Sequence, residues 1–291
     1  MDFDEYQETA ALTDQFREKK TETDLMVPLL GLAGETGTLL AEFKKKIRDR
    51  ESYEGFNDRA EEELGDILWY VSNIASRLDL SLSTIASKNL QKTGERWPIG
   101  NESHEMFPSL DDSYPPSEQL PKTITIRVQE HEKGKKARML LEDGTPLGDP
   151  LTDNAYEDDG YRFHDVLHFG HYAVLGWSPV IRGLLNRKRK SVKSTDEVED
   201  GARAAILEEL IVAFIYSNAR ERKYYDGVRH LDSDLLATIK RLVAHLEVNR
   251  RRGKDWEEAI LKGYAAFRHM IATRDAVFQL DMSAREIRIL K

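Results

Sequence analysis

The pattern of apolar and polar positions predicts a mainly α-helical chain. Through residues 1 to about 98, apolar residues recur every three or four positions, as on the packed face of amphipathic helices. A polar stretch with Gly55 interrupts the pattern, and Ser81 precedes a further helical segment as a candidate N-cap. The predicted helices cover about 3–13, 27–48, 60–78 and 81–94. We therefore expect an N-terminal helical bundle over residues 1–98.

Beyond residue 98, the composition and the apolar periodicity of the chain change twice. Residues 99–121 are rich in Ser, Asp and Pro, which is typical of a linker. Residues 122–150 contain two alternating apolar segments, 123–128 and 137–141, which predict a small β-hairpin. Residues 151–291 return to helical periodicity and predict a C-terminal helical domain. Its predicted helices cover about 166–185, 204–219, 233–249 and 255–276.

The two helical parts resemble each other faintly. Residues 208–218 can be laid over residues 62–72, so that Glu209 matches Glu63 while Val212 stands where Asp66 does. This register predicts that the C-terminal module is a degenerate repeat of the N-terminal one.

Composition and charge exclude several classes of protein and of reactive site. The net charge of -9 argues against a general nucleic-acid binder, which would normally carry a basic excess. The absence of cysteine excludes disulfides, thiolate catalysis and zinc–sulfur sites. The N-terminus has no apolar leader, and no run approaches the roughly 20 apolar residues of a membrane span. We expect a cytoplasmic globular protein.

A polar stripe on one apolar helix is the first candidate active site. Glu63, Asp66, Tyr70 and Asn73 share one face at about 3.6 residues per turn. Much of the remaining surface of this helix is apolar, so we expect it to lie well inside its domain; these positions are Leu64, Ile67, Leu68, Val71, Ile74 and Ala75. Buried carboxylates need a positive partner, and hard oxygen ligands select magnesium, manganese or calcium.

The preceding helix carries a second acidic face. Glu35, Thr38 and Glu42 lie on one side of it. Three glycines in this helix cost helix propensity, roughly 1 kcal/mol each, which is tolerated where a neighbour or ligand approaches closely; they are Gly31, Gly34 and Gly37. Antiparallel packing of the two helices would place Glu35, Glu63 and Asp66 around one cation. The alternative is a pair of solvated acidic faces.

Polar and basic side chains follow on the next predicted helix. Asn89, Lys92 and Arg96 occur at a nearly helical spacing, and such basic groups beside a metal suit phosphate oxygens. A solvated helical face is the alternative reading.

These motifs resemble those of the MazG-like, all-α nucleoside triphosphate pyrophosphohydrolases. The matching segments are residues 3–7, 31–35, 62–66 and 89–98. The resemblance implies hydrolysis of a nucleoside triphosphate to monophosphate and pyrophosphate with magnesium, manganese being possible. It departs from the family at Thr38, where the family pattern has a second Glu in the first motif, and Glu42 lies one turn beyond.

The resemblance also implies roles for individual residues. Glu35, Glu63 and Asp66 would hold the metal, and Glu35 or Glu62 would orient the attacking water. Lys92 and Arg96 would bind phosphate oxygens. Asn73 and Asn89 could contact sugar or base edges.

The resemblance leaves two questions open. MazG-like folds often complete their sites by dimerisation, so a homo-oligomer is expected, or an internal pseudo-dimer through the C-terminal module. The alternative function is a non-catalytic nucleotide-sensing or interaction protein whose site decayed at Thr38.

The C-terminal module contains a second group of chemically active residues. His164, His168 and His171 are spaced four and three residues apart, and two histidines one turn apart can share a metal that Glu208 or Glu209 completes. The alternative is that these histidines pack and form hydrogen bonds in an apolar core.

Overall fold

The computed structural model describes residues 1–15, 22–96 and 109–290. The chain divides into two units, Met1–Gly94 and Glu95–Lys291, which are described separately. The predicted boundaries at residues 98, 121 and 150 stay predictions.

The described part of the N-terminal unit is helical, as predicted. Its helices are α1 (Phe3–Ala11), α2 (Glu22–Asp49), α3 (Phe56–Arg77) and α4 (Leu82–Arg96), and a 3-10 turn covers Arg50–Ser52. Pro28 lies inside α2 rather than in its first turn, because the helix begins at Glu22. The Ser81 hydroxyl accepts a hydrogen bond from the Thr84 amide at 3.2 Å, which confirms the predicted cap.

Gln7 fastens α1 to the turn between α3 and α4. Its Nε2 donates to Ser76 Oγ at 3.0 Å and to the Leu80 carbonyl at 2.9 Å, and its Oε1 accepts from the Leu82 amide at 2.8 Å. One amide side chain thereby satisfies backbone groups at a helix end and a helix start, which fixes where α4 leaves α3.

The glycines of α2 have different surroundings. A Cβ atom at Gly31 would lie 2.2 Å from Cζ of Tyr70, so the absent side chain makes room for the Tyr70 ring of α3. Around Gly34 and Gly37, no atom of the described residues outside the adjoining helix backbone lies within 4 Å of such a Cβ. The predicted close approach of a neighbour is therefore confirmed at Gly31, and approach of a ligand at the other two stays a prediction.

Helix α3 is less buried than its apolar pattern predicted. Leu64 is 54% exposed and Leu68 36% exposed, whereas the buried residues Ser72, Asn73 and Ala75 lie in its second half. Helix α2 carries further exposed apolar side chains, at Leu29, Leu30, Leu40, Phe43 and Ile47. A regular spacing of apolar residues predicts which positions will be covered by another surface. It does not show whether that surface belongs to the same chain.

The C-terminal unit contains a five-stranded antiparallel sheet with strand order β3-β2-β1-β4-β5. The strands are β1 (Thr123–His131), β2 (Lys136–Leu141), β3 (Pro146–Leu151), β4 (Asp275–Asp281) and β5 (Glu286–Leu290). The predicted hairpin is confirmed as β1 and β2, with Val128 opposite Met139. The sheet is nevertheless larger than a hairpin, because β4 pairs with β1 on its other side and brings β5 with it.

The helices of this unit only partly follow the prediction. They are α5 (Asp165–Gly170), which continues as a π-helical turn (His171–Leu175), α6 (Pro179–Leu184), α7 (Lys193–Val198), α8 (Ala202–Arg220), α9 (Ser233–Leu242) and α10 (Gly253–Thr273). The single helix predicted over 166–185 is broken, because Gly176 adopts a left-handed conformation and Ser178 caps α6. The helix predicted to reach residue 276 ends earlier, at left-handed Arg274, and β4 follows.

One face of the sheet joins the helices in the core. Ile126, Val128 and Phe278 are buried on the central strands, and the Phe278 ring lies 5.7 Å from that of Phe169 on α5. Helix α5 in turn crosses α10 very closely, because a Cβ at Gly170 would lie 2.0 Å from the Ala259 carbonyl oxygen. This crossing holds the histidines of α5 in a fixed position.

Part of the predicted linker is folded into the C-terminal unit. Asp111 is buried and accepts hydrogen bonds from Arg182 Nη2 at 2.7 and 2.8 Å and from the Leu120 amide at 2.8 Å. An Asp–Arg pair of this kind ties residues 109–121 to α6, although their composition resembles that of a linker. The predicted linker residues 99–108 lie outside the described part of the chain.

The architecture does not support a degenerate repeat. The C-terminal unit is built on a sheet, whereas the described residues of the N-terminal unit form helices and turns. The similarity between residues 62–72 and 208–218 reflects the apolar frame that many packed helices share. Among the described residues, no helix is long and apolar enough to cross a membrane.

The close crossing of α5 and α10 predicts a large effect of one methyl group. Gly170→Ala should lower the free energy of unfolding by about 1–3 kcal/mol, because the new Cβ meets backbone that cannot rotate away. Denaturant unfolding monitored by circular dichroism measures this. Gly183→Ala in α6 is the matched control, because no described atom outside the adjoining helix backbone lies within 4 Å of its Cβ. It should stabilise the protein by about 0.5–1 kcal/mol. Equal midpoints for both variants would contradict the packing described.

Candidate active site

Packing of α2 against α3 brings two carboxylates together. Glu35 and Glu63 are both partly buried. Partial burial raises the pKa of Glu63, and the charge and hydrogen bond of Glu35 raise it further, with smaller contributions from Glu62 and Asp66. Loss of hydration and the neighbouring carboxylates therefore both disfavour the ionised form of Glu63.

Asp66 lies on the same side of α3 but is exposed. It faces Tyr6 of α1, whose pKa is raised by burial and by the charge of Asp66. Tyr6 is therefore a neighbour of the acidic group that the polar stripe on α3 did not indicate. Its position in residues 3–7, one of the segments that carry the family resemblance, was the available signal.

The donor chemistry of this group fits a hard divalent cation. Glu35, Glu63 and Asp66 offer only carboxylate oxygens, which magnesium and manganese prefer. The described residues include two groups of three whose ligand atoms all lie within 4.8 Å of one another, and both belong to the C-terminal unit. The three N-terminal carboxylates are thus more widely spread, as mutual repulsion favours. To bind one magnesium ion directly, at about 2.0–2.1 Å from each oxygen, these side chains would move closer together, or waters bound to the ion would bridge to them.

The two positions of α2 beyond Glu35 do not add a carboxylate to this group. Thr38 is exposed, and its hydroxyl donates to the Gly34 carbonyl at 3.3 Å. Glu42 is buried, accepting from Lys45 Nζ at 2.5 Å and from the Tyr53 hydroxyl. Glu42 is therefore committed to neighbours within its own unit and does not face solvent.

The remaining predicted residues have different environments. Glu62 on α3 and Asn89 and Lys92 on α4 are exposed. Asn73 is buried, and its Nδ2 has no hydrogen-bond partner among the described residues. The side chain of Arg96 lies outside the described part. The substrate-binding roles of these side chains stay predictions.

The C-terminal histidines meet the glutamates named with them. His164, His168 and Glu209 form one of the close groups, and His168, His171 and Glu208 form the other. Burial alone would lower the pKa of His168, but the charges of Glu208 and Glu209 outweigh it and raise the pKa to about 10. Burial likewise opposes ionisation of Glu208, yet His168 and His171 lower its pKa to about 2. The cluster therefore favours a positive charge at its centre.

Comparison with known proteins defines the class. Residues 105–291 match the MazG C-terminal domain, and residues 27–100 match the MazG nucleotide pyrophosphohydrolase domain. The chain belongs to the MazG-like family, as its motifs predicted. The name of the domain that matches the N-terminal part, nucleotide pyrophosphohydrolase, describes hydrolases that act on nucleotide anhydrides.

One curated relative and the solved structures complete the comparison. The chain is 39% identical over 69 residues to the Gene 37 protein of Mycobacterium phage L5. This stretch covers 23% of the present chain and 60% of the phage protein. No solved structure matched the chain.

Proposed function

We propose that the N-terminal unit hydrolyses a nucleoside triphosphate, ribo or deoxyribo, to monophosphate and pyrophosphate with magnesium. The observation that carries the proposal is the contact between Glu35 of α2 and Glu63 of α3, which concentrates negative charge in the domain matched to nucleotide pyrophosphohydrolases. We further propose a cytoplasmic location, where nucleoside triphosphates occur.

Glu35, Glu63 and Asp66 would hold magnesium, or manganese, through carboxylate oxygens. When bound, the metal would neutralise negative charge on the phosphates and lower the pKa of a water molecule bound to it. The raised pKa of Glu63 supports this assignment, because a bound cation would offset both the loss of hydration and the repulsion by Glu35 that raise it.

The reaction joins a water oxygen to the α-phosphorus and breaks its bond to the oxygen bridging to the β-phosphate. Glu62, which is exposed on α3, would orient the water and accept its proton, with Glu35 as the alternative. Lys92, exposed on α4, and Arg96 would bind phosphate oxygens and stabilise the leaving pyrophosphate. Asn73 and Asn89 would contact the sugar or base.

A second candidate function is nucleotide sensing without turnover. The observation that favours it is Thr38, whose hydroxyl donates to its own helix where the family pattern has a carboxylate. Such a protein would bind a nucleoside triphosphate with magnesium and release no pyrophosphate.

Replacing Asp66 should abolish the reaction while leaving the fold intact. Asp66 is exposed, so Asp66→Ala removes a metal-binding oxygen without opening a cavity. We expect magnesium-dependent pyrophosphate release from a panel of ribo- and deoxyribonucleotides to fall by at least about 100-fold. Coupled detection of pyrophosphate measures this.

The matched control is Asp58→Ala, another exposed aspartate of α3, which should keep the activity of the unmodified chain. Retained turnover in Asp66→Ala would refute the assignment of this carboxylate. Nucleotide binding by the unmodified chain without pyrophosphate release would favour the sensing function instead.

We also propose that the exposed apolar faces of α2 and α3 pair with a second copy of the chain. Leu40 and Leu64 are 65% and 54% exposed beside the acidic group, and burying such side chains stabilises association at roughly 25 cal/mol per Å² of apolar surface. A second copy would bring the same faces and a second acidic group. Pairing with the C-terminal unit of the same chain is the alternative.

Light scattering coupled to size-exclusion chromatography separates these two arrangements. We expect the unmodified chain to have at least twice the mass of one chain and Leu40→Lys to shift toward the monomer. Leu12→Lys is the matched control, because Leu12 is similarly exposed but follows α1. A monomeric unmodified chain would contradict pairing between copies and favour the internal arrangement.

A further inference from the structure

A cluster of imidazoles and carboxylates lies between α5 and α8 of the C-terminal unit, with His164 directly before α5. Helix α5 carries His168, and α8 supplies the neighbouring residues Glu208 and Glu209. We infer that His164, His168 and Glu209 form a binding site for a transition-metal ion such as Zn²⁺.

The distances to Glu209 fit shared metal ligands better than hydrogen bonds. Glu209 Oε2 lies 3.7 Å from His164 Nε2, and Oε1 lies 3.5 Å from His168 Nε2. Hydrogen bonds of this type span about 2.7–3.2 Å. Ligands bound tetrahedrally to zinc at about 2.0–2.1 Å stand about 3.3–3.4 Å apart. The ligand atoms of the three residues all lie within 4.8 Å of one another, so they would move closer together to coordinate one ion.

Both imidazoles are already oriented for coordination through Nε2. His164 Nδ1 lies 2.9 Å from the Tyr161 carbonyl oxygen, and the Tyr161 ring stacks on the imidazole at 4.3 Å. His168 Nδ1 lies 2.9 Å from Glu208 Oε1. Metal-binding histidines usually direct the other ring nitrogen at a backbone carbonyl or a carboxylate, which fixes the ring.

His168 is the most deeply buried residue of the site. Its side chain is completely buried, and its ring nitrogens lie 2.9 Å from Glu208 Oε1 and 3.5 Å from Glu209 Oε1. A buried imidazole between two carboxylates favours a cation at this place, either a proton or a metal ion. A metal ion on Nε2 would satisfy the nitrogen that points at Glu209.

Glu208 is a positioning residue rather than a ligand. It is completely buried, and its Oε2 accepts from Ser178 Oγ at 3.1 Å and from the Val180 amide at 2.9 Å. Its Oε1 also lies 3.0 Å from His171 Nδ1. Because both oxygens of Glu208 are engaged in this way, Glu208 serves to orient the His168 ring rather than to bind an ion together with His168 and His171.

The site reaches solvent on the other side. The Glu209 side chain is 43% exposed, and Asp165 Oδ1 lies 3.6 Å from His164 Nε2 as a further donor. A water or Asp165 could thus complete the coordination. Imidazole donors suit zinc and related transition metals, whereas the carboxylate group of the N-terminal unit suits magnesium.

Equilibrium dialysis of the full chain against Zn²⁺ tests the site. Excess Mg²⁺ is present to occupy the N-terminal carboxylates, and the chain has no cysteine to bind zinc elsewhere. We expect about one bound zinc per chain, measured by mass spectrometry of the metal, and a zinc-dependent rise in melting temperature. Glu209→Ala should weaken zinc binding at least about tenfold and lose that rise.

Glu221→Ala is the matched control, since Glu221 is exposed at the end of the same helix. It should bind zinc like the unmodified chain. Glu209→Gln, which keeps the shape of the side chain, replaces Glu209→Ala if circular dichroism shows loss of fold. Absence of zinc binding by the unmodified chain, or equal binding by the folded Glu209 variant and the control, would overturn the proposal.

Discussion

Carboxylates that are partly or wholly removed from water require a positive partner, because an uncompensated buried charge costs several kcal/mol. The C-terminal unit meets this requirement from within the chain. Asp111 pairs with Arg182, Asp200 pairs with Arg189 at 2.7 Å, and Glu208 faces His168 and His171. These pairs hold residues 109–121, α6, α8 and the histidines in one arrangement.

The acidic group of the N-terminal unit meets the requirement differently. Glu35 contacts another carboxylate, and the pKa of Glu63 is raised rather than lowered. Elsewhere in the same unit, Glu42 pairs with Lys45 at 2.5 Å and Asp14 pairs with Arg77 at 2.8 Å. Both units therefore pair most of their buried carboxylates with their own cationic side chains, whereas Glu35 and Glu63 form a carboxylate group suited to a cation from solution.

The sequence predicted the helices of the N-terminal unit because periodicity and caps are local signals. Ser81 caps α4 and Gly31 makes room for the Tyr70 ring, as their residue types predicted. It also paired the α5 histidines with Glu208 and Glu209 correctly as neighbours. Helical spacing places residues on a face, but it could not show that Glu208 orients His168 while Glu209 remains half exposed.

Other features depend on contacts between distant residues. The helix predicted over 255–276 included the first two residues of β4, and no element was predicted for the rest of this strand. Its alternating burial covers only seven residues directly after a helical pattern, which is too short a signal by itself. Its pairing with β1 joins residues about 150 positions apart. The exposure of Leu64 could not be predicted either, since a pattern of apolar positions does not name the surface that covers them.

Anomalous X-ray diffraction from crystals grown with both Mn²⁺ and Zn²⁺ locates each metal by its element and so tests both cation sites at once. We expect manganese at Glu35, Glu63 and Asp66, and zinc between His164, His168 and Glu209. Zinc bound only at the N-terminal carboxylates, or no anomalous peak at either group, would contradict the claim that the two units carry cation sites of different chemistry.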